Sequence, residues 1–459
     1  MFLEKALDDM TKKNKVVVGF DLGNDNTQIS LSRVEQNMPD TISLVAGEEQ
    51  YQIPTVLCRK KLQEEMKNGT RTVKGVWTMG KDALQQAAQK QGTLVEDLLL
   101  LAKNGVNVEV GSEEFEAKAL LEIFLRKCLS LIGAYVKVED IIGIVFTLKD
   151  MNSGLMKMIR EIMQGLDAKK AEIFFMSHED CFFQYMIHQP EEMWIHDVLL
   201  YEYRLDGIRS FCMQMNRNTR PIVAFMEKDM FPQMKMTDVS HMKAEQKAAF
   251  FRQLDDAFLE IVKKQCSQRN VSSVFLLGDV FSKEWCKESL RFLCKGRRVF
   301  QGNNLFSKGA CYGARQKVFP TLVSKEYVFL SEDKLRANIG IECNKGQERV
   351  YQPLLDAGTN WFEARREMDF ILLKNNRMGL TITPLNGGKT RIAEMTLEGL
   401  VIRGNGTNRI GFSIFMEDVD TVVIEVVDKG FGEFFPSSGQ RWRESFSLKQ
   451  ITNLETKEA

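Results

Sequence analysis

Histidine is scarce, four in 459 residues, and none stands at a metal-site spacing. Cysteine is scattered as nine single residues with no C-x-x-C pair. An odd, dispersed set argues against a disulfide framework and for reduced, mostly buried thiols in a cytoplasmic setting. Charge of one sign is not in excess: Lys+Arg and Asp+Glu both number 62. That balance argues against a general nucleic-acid binder, whose basic face normally shows in the net charge. No run of about eighteen apolar residues occurs, so no helix is expected to span a membrane. The opening Met1-Phe-Leu-Glu-Lys-Ala-Leu-Asp-Asp-Met10 carries acids and no uninterrupted apolar segment. It reads as a short leading helix and not as a secretory signal.

What is present is length and one informative stretch. A chain of 459 residues exceeds one compact core, so two or three domains are expected. Methionine is frequent at 23, which suits flexible core filling or an adaptable binding surface. Val16-Val-Val-Gly-Phe-Asp-Leu-Gly-Asn-Asp-Asn-Thr-Gln-Ile-Ser-Leu31 reads as a β-hairpin. An apolar strand leads to turn residues Asp21 to Asn26, and Thr27 to Ser32 alternates polar and apolar. Such a turn offers amide N–H groups to a phosphate, and Asp21 is placed to hold a hydrated Mg²⁺. An ordinary hairpin uses the same residues.

Further motifs follow in order. Gln52-Ile-Pro-Thr-Val-Leu-Cys58 reads as a strand opened by Pro54, and Trp77 to Ala88 as a helix capped near Lys81-Asp82. Glu113 to Ile132 carries Phe115, Leu120, Ile123, Phe124 and Leu131 at helical spacing. Asp140-Ile-Ile-Gly-Ile-Val-Phe-Thr147 reads as a buried strand, Asn152 to Leu166 as a helix, and Ala171 to Ser177 as a strand. His178-Glu179-Asp180 is either a catalytic cluster or a helix start in which Ser177 and Asp180 cap each other. The cap is favoured, because three adjacent helical residues do not share a face.

These motifs together resemble the actin, sugar-kinase and heat-shock ATPase superfamily, and most closely its seventy-kilodalton, DnaK-type chaperones. The resemblance implies that the first hairpin is a phosphate loop. Asp197 to Gln214 then resembles the second phosphate hairpin. Ser272-Ser-Val-Phe-Leu-Leu-Gly-Asp279 resembles the adenosine strand and loop, and Asn304-Leu-Phe-Ser-Lys-Gly-Ala-Cys-Tyr-Gly-Ala314 the closing helix. Nucleotide contacts would then fall to Asp21, Gly23, Asn24, Asp25, Asn26, Gly207, Gly278 and Asp279, with Asp21 on the metal. The implied fold is a two-lobed actin-like ATPase of ribonuclease H-like repeats.

Several positions depart from that family. Leucines 98 to 100 stand where its catalytic lysine falls, so no catalytic residue carries over. The glycine run of the second hairpin is replaced by Glu202-Tyr-Arg-Leu-Asp-Gly207. Tyr203, Arg204 and Leu205 are expected to crowd a phosphate there. Asp279 replaces a glycine, and Asp25 adds a charge whose repulsion of a phosphate costs a few kcal/mol. The stretch between Gln214 and Val274 is short, removing one wall from an adenine pocket.

After about Leu322 helical periodicity gives way to short strands between Gly, Asn and Pro turns, as in a β-sandwich-like domain. Asn338-Ile-Gly-Ile-Glu-Cys343, Tyr351-Gln-Pro-Leu-Leu-Asp-Ala-Gly-Thr359 and Met395 to Phe415 resemble the chaperone peptide-binding domain. That resemblance implies a partner held by backbone pairing and apolar pockets; a sandwich without a groove is the alternative. No helical lid follows, so a captured peptide would exchange quickly. The expected division is leader 1–15, first lobe 16–190, shortened second lobe 191–322, β-rich domain 323–446 and a polar tail 447–459. The function expected is a divergent DnaK-like protein with a degenerate nucleotide cleft that binds a polypeptide or protein partner. The alternatives are a working Mg-ATP switch, in which Asp21 and Asp25 hold the metal, and a scaffold binding nothing at either site.

Overall fold

Val16-Val-Val-Gly-Phe20 lies at the centre of a six-stranded sheet in the computed structural model. That structure describes residues 15–449 apart from 34, 45–48, 62–64, 68–69, 73–74, 112, 167, 169, 205, 219, 238, 240, 322–325, 347, 385–388 and 404–405. The expected leading helix, the stretch around Leu322, Leu205 and most of the expected tail lie outside the described residues.

The first hairpin forms as its turn residues dictate. β1 (Val16–Leu22) pairs antiparallel with β2 (Asn26–Arg33), and the Gly23 amide donates to the Asn26 carbonyl at 3.1 Å. β2 is not half-exposed as its alternation suggests. Its polar side chains are buried in hydroxyl pairs: Thr27 with Thr55 at 2.9 Å and Ser30 with Ser307 at 2.8 Å. β3 (Asp40–Thr41) pairs with β2; β4 (Ile141–Leu148) runs parallel to β1, and β5 (Glu172–Ser177) parallel to β4. Ile53–Pro54 forms only a two-residue pairing with β2, after which Leu57–Lys61 joins a separate small sheet. Proline has no N–H to continue a ladder.

A second sheet repeats the plan. β6 (Asp197–Arg204) pairs antiparallel with β7 (Gly207–Asn216), which pairs with β8 (Ile222–Phe231). β9 (Val271–Leu277) runs parallel to β6 and β10 (Arg298–Gln301) parallel to β9. In both sheets a meander of three antiparallel strands is extended from its first strand by two parallel ones. Parallel neighbours need crossovers, and helices supply them: α1 (Leu98–Asn104) and α2 (Ala117–Gly133) precede β4, α3 (Ser153–Gly165) joins β4 to β5, and α5 (Ala244–Ser267) precedes β9.

Between the sheets lie α4 (His178–Ile187) and α6 (Leu305–Val318). They share a core in which Val17 and Val145 meet Leu200, Phe211, Phe182 and Phe306. A second core under α5 gathers Tyr201, Phe258, Phe281 and Trp285. Two expected helix starts shift. Glu113–Glu116 is a strand paired with Asn107–Val110, so α2 begins only at Ala117. The helix Gly80–Ala88 begins without a side-chain cap, so Lys81-Asp82 do not cap it.

The chain divides into two compact units at Phe329 and Leu330. The second holds β11 (Ala337–Lys345), β12 (Glu348–Leu355), β13 (Arg365–Leu372), β14 (Arg377–Pro384), β15 (Arg391–Thr396), β16 (Asn408–Met416), β17 (Thr421–Asp428) and β18 (Arg441–Ser447). They form two antiparallel four-stranded sheets, ordered β12-β11-β14-β15 and β13-β16-β17-β18. Alternation is clean here: Ile410, Phe412, Ile414 and Met416 are buried, and the residues between them are not.

Candidate functional site

The first hairpin and the second both reach His178 in the first unit. Asp21 is the next-to-last residue of β1, and its Oδ1 lies 3.0 Å from Nε2 of His178, the first residue of α4. His178 is only 3% exposed and stacks flat on Phe306, ring centroids 4.0 Å apart. Arg204, at the end of β6, approaches the other imidazole nitrogen, Nη2 to Nδ1 at 3.5 Å. A guanidinium can only donate, so Nδ1 accepts and Nε2 carries the proton given to Asp21. Arg204 also pairs with Glu202 at 2.5 Å. Burial alone lowers the Arg204 pKa, but Glu202 and Asp21 outweigh it and hold the guanidinium above its ordinary range. Asp21, His178, Arg204 and Glu202 thus form one continuous network across the two hairpins.

The other expected contacts are used within the chain. The Asn24 side chain donates to Asp97 and accepts from the Leu100 amide at 3.3 Å. Asp25 is exposed, and its carbonyl takes the Thr55 amide at 3.0 Å. Gly23 closes the turn. Gly207 takes φ +128°, and a side chain there would strike the Phe231 carbonyl, so this glycine closes β7 onto β8. Gly278 takes φ +109°; its amide donates to Asn303 Oδ1 at 2.8 Å, and a Cβ would lie 2.5 Å from the Tyr203 carbonyl. Asp279 accepts from Asn303 at 2.8 Å and from Gln52 at 3.1 Å. Tyr203 does not crowd the cleft. It is buried with Phe281 and Trp285, and its hydroxyl donates to the Met234 carbonyl. Arg204, in contrast, reaches the surroundings of Asp21.

The Asp21 carboxylate accepts from the His178 imidazole, and the Arg204 guanidinium interacts electrostatically with it. A pocket of about 270 Å³ is lined by Asn26, Gln50, Tyr51, Gln52, Pro54, Lys81, Asp279 and Asn303. It is smaller than the roughly 300–1,000 Å³ of typical small-molecule sites.

Sequence reasoning weighed His178 in a catalytic cluster with Glu179 and Asp180 and favoured a helix cap, without pairing it with Asp21. Ser177 does cap α4, accepting from the Asp180 amide at 3.1 Å, and Asp180 Oδ2 accepts from the Ser177 hydroxyl at 2.9 Å. The three residues point three ways: Asp180 to Ser177, Glu179 to Lys228 at 2.9 Å, and His178 to Asp21. The cap marks residue 178 as the first of α4, and only the fold sets it beside β1.

The second unit carries a larger opening of about 710 Å³. Ile341, Ile371, Leu373 and Met378 line it with Lys374 and Arg377. Ile371 and Leu373 are 49% and 51% exposed. Its two acids are already paired, Glu342 with Arg349 and Asp369 with Arg409 and Lys429.

Residues 38–332 match a family described as "Family of unknown function (DUF5716) C-terminal". Residues 334–448 match a "Domain of unknown function (DUF8552)". No curated protein matches the chain. Among the described residues, no helix is long and apolar enough to cross a membrane.

Proposed function

The chain belongs to the DUF5716 family of unknown function, and we propose that it is a divergent DnaK-like protein that binds an extended polypeptide. The groove carries this reading: about 710 Å³ with Ile371 and Leu373 half in solvent beside paired acids. Exposed aliphatic side chains in a concave site suit alternate side chains of an extended strand. The two sheets of one plan support an ATPase-derived platform, and the Asp21–His178–Arg204–Glu202 network supports a cleft that no longer holds nucleotide.

The test uses the full chain and a fluorescein-labelled leucine-rich heptapeptide followed by anisotropy. Saturable binding is expected, with Leu373→Asp raising the dissociation constant about tenfold or more. Absence of binding, or binding indifferent to Leu373→Asp, sinks the reading and leaves the scaffold alternative. Thermal unfolding with Mg²⁺-ATP is expected to show no shift at millimolar nucleotide. An intact site at a hundredfold excess adds roughly 2.7 kcal/mol, and a shift of a few degrees would favour the ATP switch.

A further inference from the structure

The loop between β17 and β18 presents phenylalanine to solvent. Phe434 is 92% exposed, and Phe431 and Phe435 beside it are exposed as well. Large side chains left in water at one tip mark an interaction surface. The loop is also held in shape. Asp428 accepts from the Gly430 amide at 3.0 Å and the Ser438 amide at 2.8 Å. The Phe431 amide donates to the Phe435 carbonyl at 2.6 Å, and the Arg403 guanidinium sits over the Phe435 ring at 5.5 Å. Pre-organised aromatic anchors lose little entropy on docking.

The groove lies at the same end of the same sheet. β13 ends at Leu372, opposite Asn408 at the start of β16, and β17 ends at Asp428, opposite Ile410. Lys429, at the root of the loop, bonds Asp369 in the groove wall at 2.7 Å. The charges are complementary. With Glu342 and Asp369 neutralised by partners, Lys374 and Arg377 are left without an ion pair among the described residues, and the loop offers Glu433, exposed and likewise unpaired.

We propose that the 431–436 loop of one copy seats in the groove of a second copy, Phe434 against Ile371 and Leu373 and Glu433 against Lys374 and Arg377. Because anchor and groove share one patch, a two-fold axis lets each copy give and receive the same contact. The proposal rests on the groove being a peptide site, as inferred above.

Sedimentation of the full chain over a range of concentrations tests it. Reversible dimerisation is expected, weakened about tenfold or more by Phe434→Ser, which touches no core residue, and by Glu433→Lys. Combining Glu433→Lys with Lys374→Glu and Arg377→Glu is expected to restore it. A monomer at all concentrations, or association unchanged by Phe434→Ser, overturns the proposal. So does Phe434-dependent binding to phosphatidylcholine vesicles without self-association, which would make the loop a membrane contact. A labelled peptide with the sequence of residues 429–440 separates the two readings. If the leucine-rich heptapeptide binds and the loop peptide does not, only the self-association proposal fails. If neither binds, the groove reading fails with it.

Discussion

An imidazole held between an acid and a guanidinium makes each partner costly to remove alone. His178→Ala deletes the stack on Phe306 and leaves Asp21 and Arg204 without their shared neighbour. A loss of about 3 kcal/mol is expected in urea unfolding, the sum of a cavity and broken polar contacts. A loss below about 1 kcal/mol would show that the network does not join the hairpins. Asp21 stood out as the acid of the first hairpin because turn chemistry is local, whereas Gly207 and Gly278 were singled out only through the family resemblance. Arg204 stood out only as a bulky, charged side chain in the second hairpin. His178 was not assigned to Asp21, because the pairing spans 157 positions and one-dimensional spacing carries no such distance.

At the scale of elements, α4 is tied to β8 through Glu179 and Lys228. Burial on its own raises the Glu179 carboxyl, but Lys228 pulls it below its ordinary value of 4.5. The folded-state pKa is therefore below the unfolded one. The pair contributes fully above about pH 4.5 and is lost as pH falls through the folded value. Lys228→Met is expected to cost about 1–3 kcal/mol at pH 7, because it leaves a buried acid unpaired. The gap to wild type should narrow below pH 4.5, and urea unfolding at pH 7 and pH 4 measures it. A gap that does not move with pH would assign Lys228 a packing role only. Strand and helix identities were largely readable from period, as in Ile141–Leu148 and Ser153–Gly165. Starts were less so: Phe115 fits a helical face by spacing, yet it packs edge-on against Trp77 from a strand, and tertiary pairing overrode the pattern.

For the whole molecule, the dispersed cysteines become a measurable pattern. Seven of the nine are buried, Cys343 is intermediate and Cys294 exposed. Burial pushes the buried thiols up, Cys212 and Cys286 to about 12, so few thiolates form at neutral pH. Native labelling with a thiol-specific disulfide reagent is expected to modify Cys294 first and Cys343 more slowly. The remaining seven should react only on unfolding, and rapid reaction of all nine would contradict a packed core. The sequence by itself determined most of the elements and the change to β structure in the last third, because period and turn residues are local properties. Only the tertiary structure decided that His178 closes on Asp21, that Tyr203 turns into the core while Arg204 faces the cleft, and that the Phe434 loop lies beside the groove. Those outcomes depend on which faces two packed layers leave open, and that is set by contacts between residues far apart in the chain.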